Sequence, residues 1–344
     1  MNIKKDILII NNCPAFYKIN LYNELAAHKD IFVVFLGLSN QVVSGNHFKN
    51  KIKFPYILIN DFQVEKRSFF KTLYVLIKIL FIYQPNKIIY GGYIEKELLF
   101  LSFFINKRKN ILQTETASET KLFGWRYWLK IVLLSRYSKA IASGKIHAEM
   151  LRKMKFSGKI CISKGVGFIE KKQLRGLNRS FNNNLKFLFI GRLIKLKNLE
   201  ILIEIFNELQ YSLTIVGKGP VKQELQAKAN SNINFLDFVN NEDIGMVYNS
   251  CDIFILPSLS EPWGLVVEEA LYYGLPTMVS DRVGSYPELI EENKTGVTFN
   301  PENKESIKNA IHEITANFHF YKKNVDQFDF NKKDLEQLNF YLRL

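Results

Sequence analysis

Short apolar runs of strand length alternate with longer stretches of helical pattern along almost the whole chain of 344 residues. In the first half the runs are Ile7–Ile10, Ile31–Leu36, Phe54–Ile59, Lys87–Tyr90, Asn110–Gln113, Ala140–Ala142 and Ile160–Ser163. In the second half they are Lys186–Ile190, Leu213–Val216, Ile233–Phe235, Ile253–Pro257, Thr277–Ser280 and Val297–Phe299. Strands that alternate with helices make βαβ units, and βαβ units make parallel sheets. The expected class is therefore α/β.

The two series are separated by Glu170–Asn184, a polar stretch containing NRSFNNN. We read residues 1–168 as a first Rossmann-like domain, 169–184 as a linker and 185–325 as a second Rossmann-like domain. Residues 326–344 are expected to form a segment that crosses back to the first domain. The length suits two domains, and 47% hydrophobic with 23% charged residues suits globular cores and argues against disorder. Two doubly wound domains would face a central cleft, and ligands of such sheets sit beyond the carboxyl ends of the strands. The cysteines Cys13, Cys161 and Cys251 are far apart and no CxxC occurs, so neither a zinc site nor a disulfide framework is indicated, and a reducing cytoplasm fits. The opening MNIKKDILIINNCPAF has no cleavage-site pattern and reads as a first strand.

Charge is unevenly placed. Residues 1–165 hold 27 Lys and Arg against 10 Asp and Glu, a net of +17, and the remainder carries a net of −3. That asymmetry points the first half at an anionic partner: a membrane surface, a nucleic acid or a phosphorylated acceptor. Two segments sharpen it. Glu65–Tyr83 places Arg67, Lys71 and Lys78 near one helical face among apolar neighbours, and Lys121–Lys139 sets Trp125 and Trp128 beside Arg126 and Lys130. Basic amphipathic helices with tryptophan lie on anionic membranes; ordinary helices packed on a sheet would show the same apolar face. No apolar stretch is long and uncharged enough to span a bilayer.

The chemistry concentrates in the second half. In SLSEPWGLVVEEALYYGLPTMVSD, Ser258–Asp281, a buried strand leads into a loop with Glu261, then a helix from about Gly264 to Tyr273 that Gly274 ends. Glu261 and Glu269 stand eight apart, the first in the loop and the second inside the helix. Between them the helix start, around Gly264, Leu265 and Val266, offers free backbone N–H groups at a positive dipole end, a ready diphosphate site. A bare Gly264 lets a ligand approach the backbone. Upstream, FIGRLIKLKN carries Gly191, Arg192 and Lys197 at the end of a strand, where both cations can aim at one phosphate. VGKGP adds a strand-end turn with Gly217 and Gly219.

Taken together, these residues resemble the retaining glycosyltransferases of the large group-1 family (family four of the sugar-transferase classification), which have the GT-B fold. The resemblance rests on Gly191-Arg192…Lys197, Gly217-Lys218-Gly219, Glu261-x7-Glu269 and the stretch Asp281–Ile290 with Gly284 and Pro287-Glu288, in this order, over about Lys186–Ile290. It implies catalytic roles for Glu261, on hydroxyls of the donor sugar, and for Arg192 and Lys197, on the leaving diphosphate. It implies that Glu269 holds the ribose hydroxyls, that backbone around Gly264–Val266 completes the phosphate cradle and that the base lies near Phe238 and Val239. Retention by front-face attack, with the donor phosphate helping to deprotonate the acceptor, is likewise what the family implies. The chain has no Asp-x-Asp, the usual metal clamp, so neither a metal nor a cofactor beyond the nucleotide-sugar is expected. UDP is the favoured donor nucleotide. Glu268 matches no hallmark position and reads as structural.

For the acceptor, the loop Asn11–Asn20 offers Tyr17 and Lys18, and Gln113–Glu119 offers Glu115 and Glu119 where relatives often place a histidine. The implied acceptor is a glycan or a lipid-linked sugar in bacterial surface polysaccharide synthesis, with the protein cytoplasmic or peripheral at the inner membrane face and no nucleic acid involved. Two other readings stand beside this one. One is a non-catalytic protein that binds anionic surfaces through the basic half. The other is a different GT-B enzyme such as a sugar-nucleotide epimerase or a phosphorylase, for which the chain shows no signature.

Overall fold

The computed structural model of the chain describes residues 4–39, 46–92, 95–115, 125–171, 184–240 and 243–344. Most of the expected linker lies outside the described residues. The chain divides into two compact units, one made of Met1–Glu170 with Asn331–Leu344 and the other of Lys171–Phe330.

The first unit holds seven strands: β1 (Ile7–Asn11), β2 (Ile31–Phe35), β3 (Tyr56–Leu58), β4 (Lys87–Gly91), β5 (Asn110–Thr114), β6 (Lys139–Ala142) and β7 (Lys159–Ile162). They pair in parallel in the order β3-β2-β1-β4-β5-β6-β7. The second unit holds β8 (Lys186–Ile190), β9 (Ser212–Val216), β10 (Ile233–Leu236), β11 (Ile253–Leu256), β12 (Thr277–Ser280) and β13 (Gly296–Phe299). These are parallel too, in the order β10-β9-β8-β11-β12-β13. Each apolar run read from the sequence is one of these strands. In each sheet the strand order reverses once, between β1 and β4 and between β8 and β11, and the loops leaving those strands mark where a doubly wound sheet binds ligands.

The two-residue period of a strand sorts its side chains between the two faces of the sheet. In β1, Ile7 and Ile9 pack with Ile19, Leu21 and Tyr22 of the helix Phe16–Ala26 and with Leu338 and Tyr341 of the helix Phe330–Leu342. Leu8 and Ile10 pack on the opposite face, under the helices Phe69–Tyr83, Lys96–Phe104, Trp125–Leu134 and Lys145–Lys153. Residues 331–344 therefore complete one face of the first sheet, while the second unit includes the helix Phe318–Asp326.

Two glycines fix the approach of adjacent strand ends in the second unit. Gly217 has φ +146°, and a Cβ there would lie 1.9 Å from the Gly191 carbonyl oxygen. A Cβ on Gly219 would lie 2.0 Å from the Leu193 oxygen. Gly217→Ala combines a rarely adopted backbone conformation with a collision against main chain, so we expect a loss of roughly 2–4 kcal/mol of stability. Urea unfolding checks it, and a change below about 0.5 kcal/mol, the size of an ordinary surface substitution, would show that the turn relaxes freely.

Candidate functional site

The loops that leave β8, β9, β10, β11 and β12 are stitched to one another by main-chain hydrogen bonds. Leu193 N–H donates to Lys218 at 2.9 Å, and Gly217 N–H donates to Leu236 at 3.1 Å. Leu259 N–H donates to Leu196 at 2.9 Å, which ties the loop after β11 to the loop after β8. Glu261 N–H donates to Arg282 at 3.1 Å, and Gly284 N–H donates to the Glu261 carbonyl at 2.9 Å. Each sequence motif of the second half thus ends in one row of loops along the carboxyl edge of one sheet.

Within that row Lys197 and Glu261, 64 residues apart, form an ion pair. Their side chains are 12% and 18% exposed, so the pair is largely withdrawn from water but open on one side. The lysine stem runs back over the end of β8: its Cε would lie 3.8 Å from a Cβ placed on Gly191. Arg192 is exposed beside it.

Gly264 stands next to this pair with φ +84° and ψ 63°, the left-handed region that glycine tolerates. A Cβ there would meet Val283 Cγ1 at 3.0 Å and Glu261 Cγ at 3.4 Å. The helix Leu265–Tyr272 begins immediately after it with no side-chain cap. The first N–H groups of a helix have no partner within it, and they sit at the positive end of its dipole. Leu265 and Val266, both half-buried, are the residues at that start.

Adjacent carboxylates in this helix do different things. Glu268 is fully buried and accepts the Trp263 indole N–H at 2.6 Å, an internal bond that sets the loop against the helix. Glu269 is half-buried and accepts the Tyr248 hydroxyl at 3.0 Å. Burial, and then the charge of Glu269, pushes the Tyr248 hydroxyl well above its usual range, so it stays a hydrogen-bond donor. Tyr248 is itself stacked on Tyr273 at 4.8 Å. The sequence reading did not find Tyr248. It lies 21 residues from Glu269 with no motif around it, and only the pairing of β11 and its flanking helices brings it there. Phe238, exposed, and Val239, half-buried, follow the end of β10.

In the first unit the structure brings together the three residues singled out around β1 and β5. Lys18 Nζ lies 2.8 Å from Glu115 Oε1, and the Tyr17 hydroxyl lies 3.4 Å from Glu115 Oε2. Lys18 also donates to Asn11 Oδ1 at 3.3 Å, and Asn11 donates to the Tyr22 hydroxyl at 2.7 Å. Burial opposes the lysine charge, but Glu115 and then the two tyrosines more than offset it and hold Lys18 well above its ordinary range. Burial, then Glu115, likewise raises Tyr17, and burial raises the Cys13 thiol. A second polar cluster that the sequence reading missed links Arg67 to both Glu95 and Glu97, with Asn12 donating to Glu95 at 2.9 Å. Glu119 lies outside the described residues.

Glu115→Gln leaves Lys18 a buried cation without its carboxylate. We expect a loss of about 3 kcal/mol near neutral pH. The sign with pH follows from the lysine. With Glu115 its raised pKa gives stability that is present below the unfolded value of about 10.4 and lost above the folded one; without Glu115 burial depresses the pKa, and the deficit falls toward about pH 10 as Lys18 sheds its proton. Denaturation of both proteins across that range measures it, and a deficit that does not vary with pH would contradict the account.

Among the described residues, no group of three or more His, Cys, Asp and Glu side chains could hold a metal ion.

Comparison with known proteins follows the same division. The family described as glycosyl transferases group 1 matches residues 170–327. The alpha-monoglucosyldiacylglycerol synthase of Acholeplasma laidlawii is 34% identical over 142 residues, 38% of this chain and 35% of that protein. The sulfoquinovosyl transferase SQD2 of Arabidopsis thaliana is 35% identical over 130 residues, 36% of this chain and 25% of that protein. The chain thus matches between a quarter and about a third of the length of these curated relatives. Among solved structures, HepE of Anabaena, in complex with UDP and glucose, superposes with a TM-score of 0.70 over 99% of this chain and 100% of that one at 16% identity, a likeness of fold. The two Rossmann-like sheets have the GT-B architecture, and residues 170–327, which carry every loop in the row described above, match the family of group-1 glycosyltransferases.

Proposed function

We propose that the chain moves a sugar from a nucleotide-sugar, with UDP favoured, to a glycan or lipid-linked acceptor, with retention of anomeric configuration and without a metal. The observation that carries this reading is the placement of the Lys197–Glu261 pair and of Glu269 on either side of Gly264, at the edge where β8 and β11 end. Cleavage of the anomeric bond puts negative charge on the leaving diphosphate. Arg192, Lys197 and the N–H groups of Leu265 and Val266 are fixed positive groups at the place where that charge develops, and such preorganised groups lower a barrier by about 3 kcal/mol each. Glu261 binds hydroxyls of the donor sugar and holds the Lys197 ammonium forward. Glu269, oriented by Tyr248, accepts from the ribose hydroxyls, and the base lies along Phe238 and Val239. The acceptor oxygen attacks on the face the diphosphate leaves, and its proton passes to the departing phosphate oxygen.

In the first unit Tyr17, Lys18 and Glu115 are proposed to meet the acceptor, Lys18 fixing the carboxylate that receives its hydroxyls. The relative named as a glucosyldiacylglycerol synthase and the basic first half favour a lipid-linked acceptor at the inner face of a membrane.

Isothermal titration of the protein with UDP, GDP and ADP, with EDTA present, tests the donor site. Saturable binding of one nucleotide is expected, with UDP the tightest. No binding of any of them at about millimolar concentration, well above a usual donor KM, would overturn the proposal and put a non-catalytic anionic-surface protein in its place.

A further inference from the structure

The helices Phe69–Tyr83, Lys96–Phe104 and Trp125–Leu134 share one core against the same face of the first sheet. Their outward faces should then be polar. They are not. In the first helix Phe70, Tyr74, Ile77 and Phe81, at i, i+4, i+7 and i+11, form a stripe turned away from the buried Leu73, Leu76 and Ile79. Phe70 is 81% exposed, Phe81 73%, Phe104 73% and Trp128 61%. The exposed residues are neighbours: the half-buried Phe69 ring lies 5.3 Å from exposed Phe70 and 6.2 Å from exposed Phe100, and Arg136, just past the third helix, stands over the Phe103 ring at 5.2 Å and donates to the Phe103 carbonyl at 3.2 Å. Large exposed apolar side chains gathered on three helices of one layer mark an interaction surface.

Charge decides the partner. Exposed Lys71, Lys78 and Lys96 flank the aromatic stripes, Lys107, Arg108 and Lys109 continue them, and Lys155 sits over the Trp128 ring at 5.7 Å. No carboxylate stands among the described exposed positions of the three helices; Glu97 is buried against Arg67. An apolar layer whose described exposed charges on the three helices are all cationic complements an anionic phospholipid surface. No described helix is long and apolar enough to cross a membrane.

We propose that this three-helix face is the docking surface of the protein on anionic bilayers, with Phe70, Phe81, Phe104 and Trp128 entering the headgroup–acyl boundary. The inference rests on the membrane-side setting proposed above and deepens it by naming the face.

The test is vesicle flotation of the full chain with phosphatidylcholine alone and with about one-third phosphatidylglycerol. Wild type is expected to float with the anionic vesicles and not with the neutral ones, and its tryptophan emission to shift to the blue on binding, with a much smaller shift in Trp128→Phe. Phe70→Ser/Phe81→Ser, both exposed positions, should lower the partition coefficient roughly tenfold or more. Lys71→Gln/Lys78→Gln should weaken binding mainly at low salt, and the difference should shrink at about 0.5 M salt. Nucleotide titration of each variant runs alongside. Unchanged nucleotide binding shows an intact fold and keeps a failure of docking distinct from a failure of the donor site. Equal flotation of Phe70→Ser/Phe81→Ser and wild type would overturn the inference. So would sedimentation showing a wild-type dimer that the double variant converts to monomer without change in vesicle binding, since the face would then cover a second copy.

Discussion

Exchanging Lys197 for methionine should slow sugar transfer about 10²–10³-fold, with a much smaller effect on nucleotide affinity. In the proposed reaction the lysine meets charge that appears only as the anomeric bond breaks, so its contribution would be larger in the transition state than in the bound ground state. Its ion pair with Glu261 makes the prediction more specific. Glu261→Gln removes the anchor as well as the proposed sugar ligand, so Lys197→Met/Glu261→Gln should be little worse than the slower single variant, the non-additivity expected of groups acting as a unit. The rate of nucleoside diphosphate release from nucleotide-sugar is the measurement. A Lys197→Met enzyme within about threefold of wild type would remove the lysine from the chemistry, because a single fixed donor at the developing charge is worth far more than that.

Glu269→Ala should weaken binding of the preferred nucleotide about 10–100-fold, the range for losing one or two charge-assisted hydrogen bonds in a partly dry site. Glu268→Gln gives the contrast. It disturbs a buried bond to Trp263 and should lower the midpoint of unfolding while leaving nucleotide affinity within a few-fold of wild type. Tyr248→Phe lies between them: Glu269 remains, but its orienting donor is gone, so a loss of severalfold is expected in affinity. Reversal of the Glu268 and Glu269 effects would mean that the helix presents its other carboxylate to the ligand.

Much of this was legible in the sequence because the physics behind it is local. Strands of a parallel sheet covered on both faces read as unbroken apolar runs: β1 and β11 are buried throughout, and β8 at its three central residues. Gly217 and Gly264 show as well, the first because a Cβ would strike the Gly191 carbonyl and the second because its φ of +84° favours glycine. The loop–helix start around Gly264 was readable to within a residue from the strand before it and Gly274 after it. What stayed hidden depends on pairing across distance. Tyr248 approaches Glu269 only after β11 takes its place beside β12, and Arg67 meets Glu95 and Glu97 only after β4 crosses to β1. Tyr17, Lys18 and Glu115 were picked out singly, from the strand ends they follow. That they form one buried cluster comes from β1 and β5 flanking β4 in the sheet order. The aromatic outer face was half visible: Lys71, Lys78 and Trp128 signalled amphipathic helices, but the register that turns Phe70 and Phe81 outward needs the buried Leu73 and Leu76 to be known.

The return of residues 331–344 to the first sheet makes that unit discontinuous along the chain. A ribosome delivers its seven strands first and the helix Phe330–Leu342 last, after the entire second unit has emerged. Until then Ile9, Leu21 and Tyr22 have no Tyr341 or Leu338 to pack against, and one face of the first sheet stays partly open to water. The nascent first unit must therefore wait, incompletely closed, while the second is made. A stop codon or protease cut near residue 330 would injure the half of the protein farthest from it in sequence and spare the half beside it.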